Sequence, residues 1–284
     1  MDDSKIFIVG ANGQLGTALR QKYPRAQFAD IDELDITNKE SVENYNWSDI
    51  KVILNAAAYT NVDGAESAKG RLVAWNVNAV AVSYLAQIAD KNDITIVHIS
   101  TDYVFDGTNN MHTEEEPFSP LSVYGASKAA GDIAISTTTK HYILRTSWVI
   151  GEGKNFVRTM IGLAEKGVSP TVVVDQVGRL TFTSELVRAV DHLLTTKAPY
   201  GTYNVSNSGK SASWADITRG IFELSGHSDL TVTDTTTAEY FAGKEGVAPR
   251  PLQSTLDISK IQATGFTSID WQEELKTYLS SSGH

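Results

Sequence analysis

A short apolar run that ends in three regularly spaced glycines constrains the fold of this chain more than any other part of its sequence. Residues 5–9 are rich in β-branched and aromatic side chains and lead into the turn GANGQLG at 10–16. A helix-like segment follows at 17–23. Glycine is required where a side chain would block a tight turn or a close contact between helix and strand. This part of the sequence therefore predicts a strand, a glycine turn and a helix in immediate succession.

The same alternation continues along the chain. Apolar runs predict further strands at 27–29, 52–54, 94–99, 142–144 and 171–174, and helix-like segments lie at 65–90, 124–136 and 183–194. Strands that alternate with helices form a parallel sheet with helices on both faces. We therefore predict an α/β fold built on a Rossmann-type doubly wound parallel sheet.

Beyond residue 151 the alternation becomes less regular, which predicts a second, smaller C-terminal lobe. A helical segment at 155–166 and a closing amphipathic segment at 271–279 are assigned to it. We divide the chain into a sheet domain of residues 1–150 and 171–224, and a smaller lobe of residues 151–170 and 225–284. The closing SSSGH at 280–284 is predicted to be a solvated tail.

Composition limits the possible classes of function. The 284 residues are 41% hydrophobic and 20% charged, which is typical of a globular protein, and the net charge of −10 disfavours binding to nucleic acid or to an anionic membrane. There is no cysteine, so disulfides and thiolate sites are excluded, and the six histidines show no metal-binding spacing. The start MDDSK has no basic leader, and no uninterrupted apolar stretch approaches the roughly 20 residues that span a bilayer. We expect a cytoplasmic protein, monomeric or homodimeric, without nucleic-acid or membrane partners.

The glycine turn has the features of a dinucleotide-binding site. A turn between strand and helix leaves free backbone N–H groups at the helix N-terminus, and such groups bind a pyrophosphate. The spacing GxxGxxG differs from the GxGxxG of many dehydrogenases, so a purely structural turn is the alternative. The residues assigned to this phosphate site are Gly10, Asn12, Gly13, Gln14, Leu15 and Gly16.

An acidic residue is expected about 20 positions after the turn, where it would hold the adenosine ribose. Asp30 has this position, and Asp32 is the second candidate. A carboxylate there repels a 2′-phosphate and favours NADH. Arg20 and Arg25 are close in sequence, so NADPH stays open as the cofactor.

The ends of the second and third strands extend the predicted cofactor site. Asp35 would lie where an adenine ring binds, although a helix cap or turn explains it equally well. The small residues after the third strand let a cofactor approach the backbone, or else serve tight packing between helix and sheet. The residues assigned here are Asp35, Ile36, Ala56, Ala57, Ala58 and Tyr59.

Tyr124 and Lys128 are four residues apart in the predicted helix 124–136, so their side chains share one face about 5–6 Å apart. A neighbouring ammonium favours the phenolate form of a tyrosine and lowers its pKa. The pair therefore predicts a tuned acid or base. For this spacing alone, an ordinary solvated helix face is the alternative.

The apolar strand at 94–99 brings Ser100 and Thr101 to the carboxyl end of the sheet, where open α/β folds bind ligands. Thr101 is predicted to hydrogen-bond a reacting carbonyl oxygen while Tyr124 donates a proton to it. Lys128 would also hold the ribose of a nicotinamide cofactor. The alternative is that the two hydroxyl residues merely end the strand, but the joint occurrence of all three motifs is more specific than any one of them.

Motifs along nearly the whole chain resemble one known family. They are GANGQLG at 10–16, NAAAYTNVDGAE at 55–66, NVNA at 76–79, STDYVFDG at 100–107, YGASK at 124–128, RTSW at 145–148, NFVRTM at 155–160, DQVGRLT at 175–181 and RP at 250–251. On these motifs the chain resembles the extended short-chain dehydrogenase/reductase family, and within it the dTDP-4-dehydrorhamnose reductases.

The resemblance implies a role for each matching residue. It implies a catalytic triad of Thr101, Tyr124 and Lys128, adds Asn78 to the cofactor site, and makes the smaller lobe a nucleotide-sugar-binding lobe. Core packing is the alternative role for Trp148, and an ordinary surface position is the alternative for Arg250. The implied contacts to a dTDP-sugar substrate are Val62, Thr101, Asp102, Tyr103, Tyr124, Trp148, Asn155, Phe156 and Arg250.

The implied reaction is the NAD(P)H-dependent reduction of the C4 ketone of dTDP-4-dehydro-L-rhamnose. Dehydratases of the family carry an Asp-Glu pair after the threonine, whereas this chain has Asp102 and Tyr103, which argues against dehydration. A nucleotide-sugar 4-epimerase is one alternative. A non-catalytic regulatory subunit, resembling that of methionine adenosyltransferase, is another.

Some members of this group use Mg²⁺ at a dimer contact through an acidic residue just after the glycine turn. This chain continues with Thr17, Ala18 and Leu19 at that place. The missing carboxylate argues against a metal-bridged dimer of that kind.

Overall fold

A parallel β-sheet with helices on both faces organises the computed structural model, which describes residues 2–281. The strands, in chain order, are β1 (Ile6–Val9), β2 (Gln27–Ala29), β3 (Val52–Asn55), β4 (Thr95–Thr101), β5 (His141–Thr146), β6 (Val149–Ile150), β7 (Thr171–Val173), β8 (Val177–Gly178), β9 (Thr181–Phe182), β10 (Gly201–Asn204), β11 (Ala212–Ser213) and β12 (Thr233–Thr235).

The helices surround this sheet and fill the rest of the molecule. In chain order they are α1 (Gln14–Lys22), α2 (Lys39–Asn44), α3 (Ala68–Trp75), α4 (Ala81–Lys91), α5 (Val123–Ser136), α6 (Phe156–Ala164), α7 (Thr183–Thr196), α8 (Trp214–Leu224), α9 (Thr237–Phe241), α10 (Ser259–Gln262) and α11 (Trp271–Ser281). The predicted α/β class with a doubly wound parallel sheet is confirmed.

Within the described residues, six strands form the main sheet in the order β2-β1-β3-β4-β5-β10, and all neighbours are parallel. The order reverses between β1 and β3, and ligands bind at such a reversal outside the carboxyl ends of the strands. Both faces of the sheet are covered. Ile6 and Ile8 of β1 pack into a core with α1 and α7, whereas Phe7 and Val9 pack into a second core with α4.

The helix predicted at 65–90 is confirmed over Ala68–Lys91, and only its start differs from the prediction. A 3-10 turn at Gly64–Glu66 comes first, and Ser67 then caps α3 by accepting a hydrogen bond from the Gly70 N–H. A π-helical segment, Asn76–Val80, joins α3 to α4. Periodicity could not reveal it, because a π turn adds one residue without interrupting the helix.

The continuous helical unit Ala68–Lys91 is long and apolar enough to cross a membrane by length and composition. Half of its most apolar part is buried inside the fold. This burial is consistent with a core helix of a soluble protein.

A third hydrophobic core, formed largely by α6, α8 and α11, lies beside the main sheet. α8 belongs to the stretch 171–224 that the sequence assigned to the sheet domain, yet it packs against α6 of the smaller lobe. The division into two domains therefore stays a proposal. Ser280 and Ser281 complete α11, and the rest of the predicted tail, residues 282–284, lies outside the described residues.

Candidate active site

The glycine turn joins β1 to α1 as predicted, and two of its glycines are required by close contacts. Gly10 has φ +74°, and a Cβ there would lie 2.5 Å from the Ala57 nitrogen. A Cβ on Gly16 would lie 2.1 Å from the Gly10 carbonyl oxygen. A Cβ on Gly13 would make only an ordinary contact of 3.4 Å. The fold therefore needs glycine at 10 and 16, and leaves position 13 open toward a ligand.

α1 begins at Gln14, three residues earlier than predicted, because Gly13 is its N-cap residue. No side chain caps this end of the helix. The first N–H groups of a helix have no partner within the helix and attract anions. Gln14 also fixes the turn, since its side-chain oxygen accepts a hydrogen bond from the Gly151 N–H at 2.9 Å.

Asp30 lies at the end of β2, beside the glycine turn. Its carboxylate accepts hydrogen bonds from the Asn12 N–H at 2.9 Å and from the Ile31 N–H at 2.8 Å. The Glu33 carboxylate accepts from the Asp30 N–H at 2.9 Å, so two acids meet at this strand end. Arg20 stacks on the ring of Phe28 and donates to the Asn12 side chain at 3.3 Å. A cation is therefore close to Asp30 without pairing with it.

Two cavities open along the carboxyl edge of the sheet. The first has a volume of about 340 Å³ and the second about 380 Å³. Gly13, Ala56 and Ala58 line both, so the cavities are continuous. The first is lined by these and by Gly10, Asp30, Asp35, Ile36, Ala57 and Tyr59, among others. The second adds Gln14, Leu15, Ser100, Thr101, Asp102, Tyr124, Lys128 and Ser147, among others.

Asn78 is fully buried in the π segment and lines neither cavity. Its side chain accepts from the Tyr59 N–H at 2.8 Å and donates to the Tyr59 carbonyl at 3.0 Å. It also donates to the Ser127 hydroxyl at 3.0 Å. Asn78 therefore acts on the cavity through the backbone of Tyr59.

Thr101, Tyr124 and Lys128 meet in the second cavity, as predicted for a catalytic group. The prediction that Lys128 lowers the pKa of Tyr124 is wrong. Burial raises the pKa of Tyr124 well above its usual value, and a hydrogen bond with Thr101 opposes the shift only in part. Such a phenol stays protonated at neutral pH, which suits a proton donor.

Lys128 is almost completely buried, and its ammonium group is directed inward. Its Nζ atom donates to the Ile99 carbonyl at 2.6 Å and lies 3.3 Å from Nε2 of His98. Burial lowers the pKa of Lys128 to about 8, although Asp132 opposes the shift. Asp132 is four residues further along α5, and its Oδ2 atom accepts a 3.1 Å hydrogen bond from Arg145.

Asp102 begins the short 3-10 turn after β4, and Thr101 donates to its Oδ1 atom at 3.0 Å. Burial raises the pKa of Asp102 to about 6, and the hydrogen bond from Thr101 opposes this shift. Tyr103 packs edge-on against Tyr124, with ring centroids 5.5 Å apart. Val62 packs against the same group of aromatic side chains.

Trp148 follows β5 with φ +48°, a left-handed conformation that bulky residues rarely adopt. Its indole stacks on Trp214 with ring centroids 3.7 Å apart, and Phe156 packs on the other side of this pair, 4.2 Å from Trp214. A Cβ on Gly178 would lie 3.1 Å from the Trp148 ring. Trp148 therefore packs in the third core, as the alternative role predicted, and it stays partly exposed, while its contact with a substrate stays a prediction.

Asn155 and Arg250 are not among the residues that line the two cavities. Asn155 caps α6 and donates to the Gly151 carbonyl at 2.7 Å. Arg250 donates to both carboxylate oxygens of Asp63, at 2.9 and 2.8 Å, and stacks over Phe241. Arg250 is therefore a partner of the main sheet domain rather than an ordinary surface arginine.

Sequence reasoning missed the buried polar group behind the second cavity. His98, Asp132 and Arg145 each lie on the sheet or on α5 and are nearly inaccessible to solvent. One signal was available, because Asp132 follows Lys128 by four residues on the same helix face. Across residues 2–281, no group of three or more His, Cys, Asp or Glu side chains could hold a metal ion.

Comparison with known proteins identifies the family of this chain. A match to the family described as RmlD substrate binding domain covers residues 4–283. The chain belongs to this family. The resemblance to the extended short-chain reductases of this group, predicted from the motifs, is confirmed.

Individual members are similar over almost their whole length. A dTDP-4-dehydrorhamnose reductase of Aggregatibacter actinomycetemcomitans is 38% identical, covering 96% of this chain and 97% of the relative. The crystal structure of a dTDP-4-dehydrorhamnose reductase from Clostridium acetobutylicum has a TM-score of 0.89 and 36% identity, covering 98% of this chain and 99% of that one. The enzyme of that name from Bacillus anthracis, solved in complex with NADP, has a TM-score of 0.87 and 34% identity, covering 97% and 98%.

Proposed function

We propose that this chain catalyses the NAD(P)H-dependent reduction of the C4 ketone of dTDP-4-dehydro-L-rhamnose to dTDP-L-rhamnose. The observation that carries the proposal is the second cavity, which gathers Thr101, Asp102, Tyr124 and Lys128 and continues into the cavity behind the glycine turn. The names of the similar proteins support the same reaction. The choice of dTDP as the nucleotide rests on those relatives rather than on side chains that would read thymine.

The residues of the first cavity fit a dinucleotide. Gly13 leaves room for a ligand to approach the backbone, the N-terminus of α1 has no side-chain cap, and Asp30 offers a carboxylate to a ribose. The bound dinucleotide supplies the hydride. A relative solved with NADP supports NADPH, and the acids Asp30 and Glu33 support NADH, so the chain is proposed to accept both.

Each catalytic side chain has a role that its surroundings support. Tyr124 holds a proton in a buried phenol and donates it to the ketone oxygen, while the Thr101 hydroxyl hydrogen-bonds the same oxygen. Lys128 holds the nicotinamide ribose. Asp102, next to Thr101, contacts the sugar, and Trp148 offers the exposed part of its ring to the deoxysugar.

We also propose the remaining sequence assignments. The smaller lobe, with Asn155, Phe156 and Arg250, receives the nucleotide part of the substrate, and Val62 and Tyr103 shape the wall near Tyr124. We propose a cytoplasmic protein, monomeric or homodimeric, without a bound metal. We propose that the protein has no nucleic-acid or membrane partner.

The decisive experiment supplies dTDP-4-keto-6-deoxyglucose together with its 3,5-epimerase and follows NADH or NADPH absorbance. We expect oxidation of the cofactor that depends on both the sugar and this protein. No oxidation with either cofactor would contradict the proposal. A C4-epimerised nucleotide sugar formed without net cofactor consumption would then indicate the 4-epimerase, and its absence the regulatory role.

Tyr124→Phe tests the proton donor in the same assay. Because a positioned general acid contributes about 100-fold or more to rate, we expect turnover to fall by at least that factor while the Kd of the cofactor changes little. Tyr240→Phe is the matched control, since Tyr240 is exposed on α9. Near-normal turnover of the Tyr124→Phe variant would remove Tyr124 from the mechanism.

A further inference from the structure

His98 lies behind Lys128 in the middle of the apolar strand β4, and its side chain is completely buried. Three polar groups surround its ring. Nδ1 lies 3.0 Å from the Asn55 side-chain nitrogen, and Nε2 lies 3.3 Å from Lys128 Nζ and 4.0 Å from Asp132 Oδ1. One of these contacts, that with Lys128, joins His98 to the proposed catalytic group.

The hydrogen bonds of Asn55 determine which ring nitrogen of His98 carries the proton. The Ala57 N–H donates to Asn55 Oδ1 at 3.2 Å, so the atom that faces His98 is the amide nitrogen, a donor. Nδ1 of His98 must then accept, and a neutral imidazole that accepts at Nδ1 carries its proton on Nε2. Burial, and next the charge of Lys128, lower the pKa of His98 well below its usual value, which keeps the ring neutral.

The Nε2–H group of His98 therefore points toward Lys128. An ammonium has no acceptor, so two donors would face each other across 3.3 Å, whereas a neutral amine accepts this hydrogen bond and still donates to the Ile99 carbonyl. Asp132 Oδ1 is too distant, at 4.0 Å, to take the proton of Nε2 instead. We propose that His98 is a positioning residue: Asn55 fixes its tautomer, and its Nε2–H group favours the neutral amine of Lys128 over the ammonium.

Other groups act on Lys128 from each neighbouring element. Asp132 on α5 favours the ammonium, and Arg145 of β5 binds and partly neutralises Asp132. Tyr124 and Asp102 line the cavity beside Lys128. Burial lowers the pKa of Lys128 to about 8, against the effect of Asp132.

This inference rests on the proposed function for its consequence in catalysis. After each reduction the Tyr124 oxygen has lost its proton to the ketone oxygen and is a phenolate. Lys128 lines the same cavity, so we expect an N–H bond of its ammonium to break as an O–H bond of Tyr124 forms, which leaves the amine that His98 stabilises. Lys128 regains its proton from solvent, and turnover should therefore fall at alkaline pH as Lys128 loses that proton.

The first test observes the tautomer and needs no activity. Nitrogen-15 NMR of protein labelled in its histidine rings, with the His98 signals assigned by their loss in His98→Phe, should show a protonated Nε2 and an acceptor Nδ1 across neutral pH. A proton on Nδ1, or a charged ring, would overturn the proposal even if the reductase assay succeeds. The expected tautomer in a protein without reductase activity would instead leave the positioning role standing and reject the proposed function.

The second test reverses the tautomer with Asn55→Asp. An aspartate at 55 can still accept from the Ala57 N–H and also accepts from Nδ1, so Nε2 becomes an acceptor for the Lys128 ammonium. We expect the tautomer to switch and the alkaline fall in kcat to move upward by about one pH unit or more. His98→Phe, which removes Nε2–H without adding charge, should shift it in the same direction. Asn46→Asp adds the same charge at an exposed site and is the control.

If the role of His98 were purely structural, these variants would have a lower melting temperature or a lower kcat, but the pH of the alkaline fall in kcat would stay the same. A switched tautomer without a change in the pH of the alkaline fall in kcat would therefore overturn the proposal. If either variant folds poorly, NADH affinity can be measured by nicotinamide fluorescence on the folded fraction. Because Lys128 is proposed to contact the ribose, the pH dependence of this affinity compares the protonation of Lys128 in variant and wild type.

Discussion

At the scale of single residues, the chain places acids and bases where burial controls their protonation. Asp102 and Tyr124 both line the second cavity, and burial raises the pKa of each. Burial also lowers the pKa of Lys128. All three shifts favour the uncharged forms. The site therefore carries less charge than these residues would carry at their usual pKa values.

Asp102→Asn should stabilise the protein at neutral and alkaline pH. The pKa of Asp102 rises from 3.8 to about 6 on folding, so the free energy of unfolding of the wild type falls as the pH rises through that interval. The variant has no carboxylate at this position, so it does not lose this free energy of unfolding, which amounts to roughly 3 kcal/mol at most. Melting temperatures should show a larger gain at about pH 8 than at about pH 4.

The control for this comparison is Asp229→Asn, which removes the same charge from an exposed residue. A gain for Asp102→Asn that is equal at both pH values would show that the carboxylate is not destabilised by burial. Turnover of the variant should be reduced at every pH, because the amide cannot offer a second carboxylate oxygen to the sugar.

At the scale of elements, the sequence predicted well whatever depends on local pattern. The strand, turn and first helix follow from apolar runs and glycines. Thr101 ends β4 and Tyr124 lies in the first turn of α5, and both line the second cavity. The π segment at Asn76–Val80 was missed because it joins α3 to α4 without ending the helix. The left-handed backbone of Trp148 was also missed, since no local signal marks a bulky residue at positive φ.

The glycine turn yields a prediction that separates folding from binding. In Gly16→Ala the new Cβ would lie 2.1 Å from the Gly10 carbonyl oxygen, so the turn must move and the melting temperature should fall sharply. In Gly13→Ala the corresponding contact is an ordinary 3.4 Å. We expect a nearly unchanged melting temperature and an NADH affinity at least about tenfold weaker, because the methyl group occupies the approach of the phosphates.

Gly162→Ala is the control, since this helical glycine has open space around its Cβ position and alanine favours a helix by about 1 kcal/mol. Unfolding curves and cofactor titrations check all three variants. Full cofactor affinity in Gly13→Ala would mean that the phosphates do not approach the N-terminus of α1.

At the scale of the whole molecule, segments distant in sequence close over the carboxyl edge of the sheet. Arg250 pairs with Asp63, and short bridges join Gln253 to Val177 and Leu256 to His112. The sequence could mark the RP pair at 250–251 through a resemblance but could not reveal this pairing. A contact between residues 187 positions apart depends on the completed fold, and a single sequence carries no periodic signal for it.

Arg250→Ala should raise the KM for the nucleotide sugar and leave the Kd of the cofactor unchanged. A hydrogen bond to a charged group contributes about 1.5–3 kcal/mol, so an increase of about tenfold or more is expected if Arg250 moves from Asp63 to a phosphate. Asp63→Asn keeps the guanidinium and should raise the KM much less. Steady-state kinetics with each substrate varied in turn distinguish the two.

Arg219→Ala is the matched control, because Arg219 also pairs with carboxylates, Asp216 and Asp234, on a partly exposed surface. Equal increases in KM for Arg250→Ala and Asp63→Asn would contradict a phosphate contact and assign the pair to holding the segment in place. Both changes should lower the free energy of unfolding, Arg250→Ala by the larger amount because it also loses the contact with Phe241.

The floor that the two cavities share, formed by Gly13, Ala56 and Ala58, has a consequence for the order of events during turnover. A dinucleotide that spans both cavities would form part of the surface on which the sugar rests. We therefore expect the cofactor to enter first and to leave last. In product-inhibition experiments the oxidised cofactor should compete with the reduced cofactor, whereas the product sugar should not, and tight binding of the sugar nucleotide to cofactor-free protein would contradict this order.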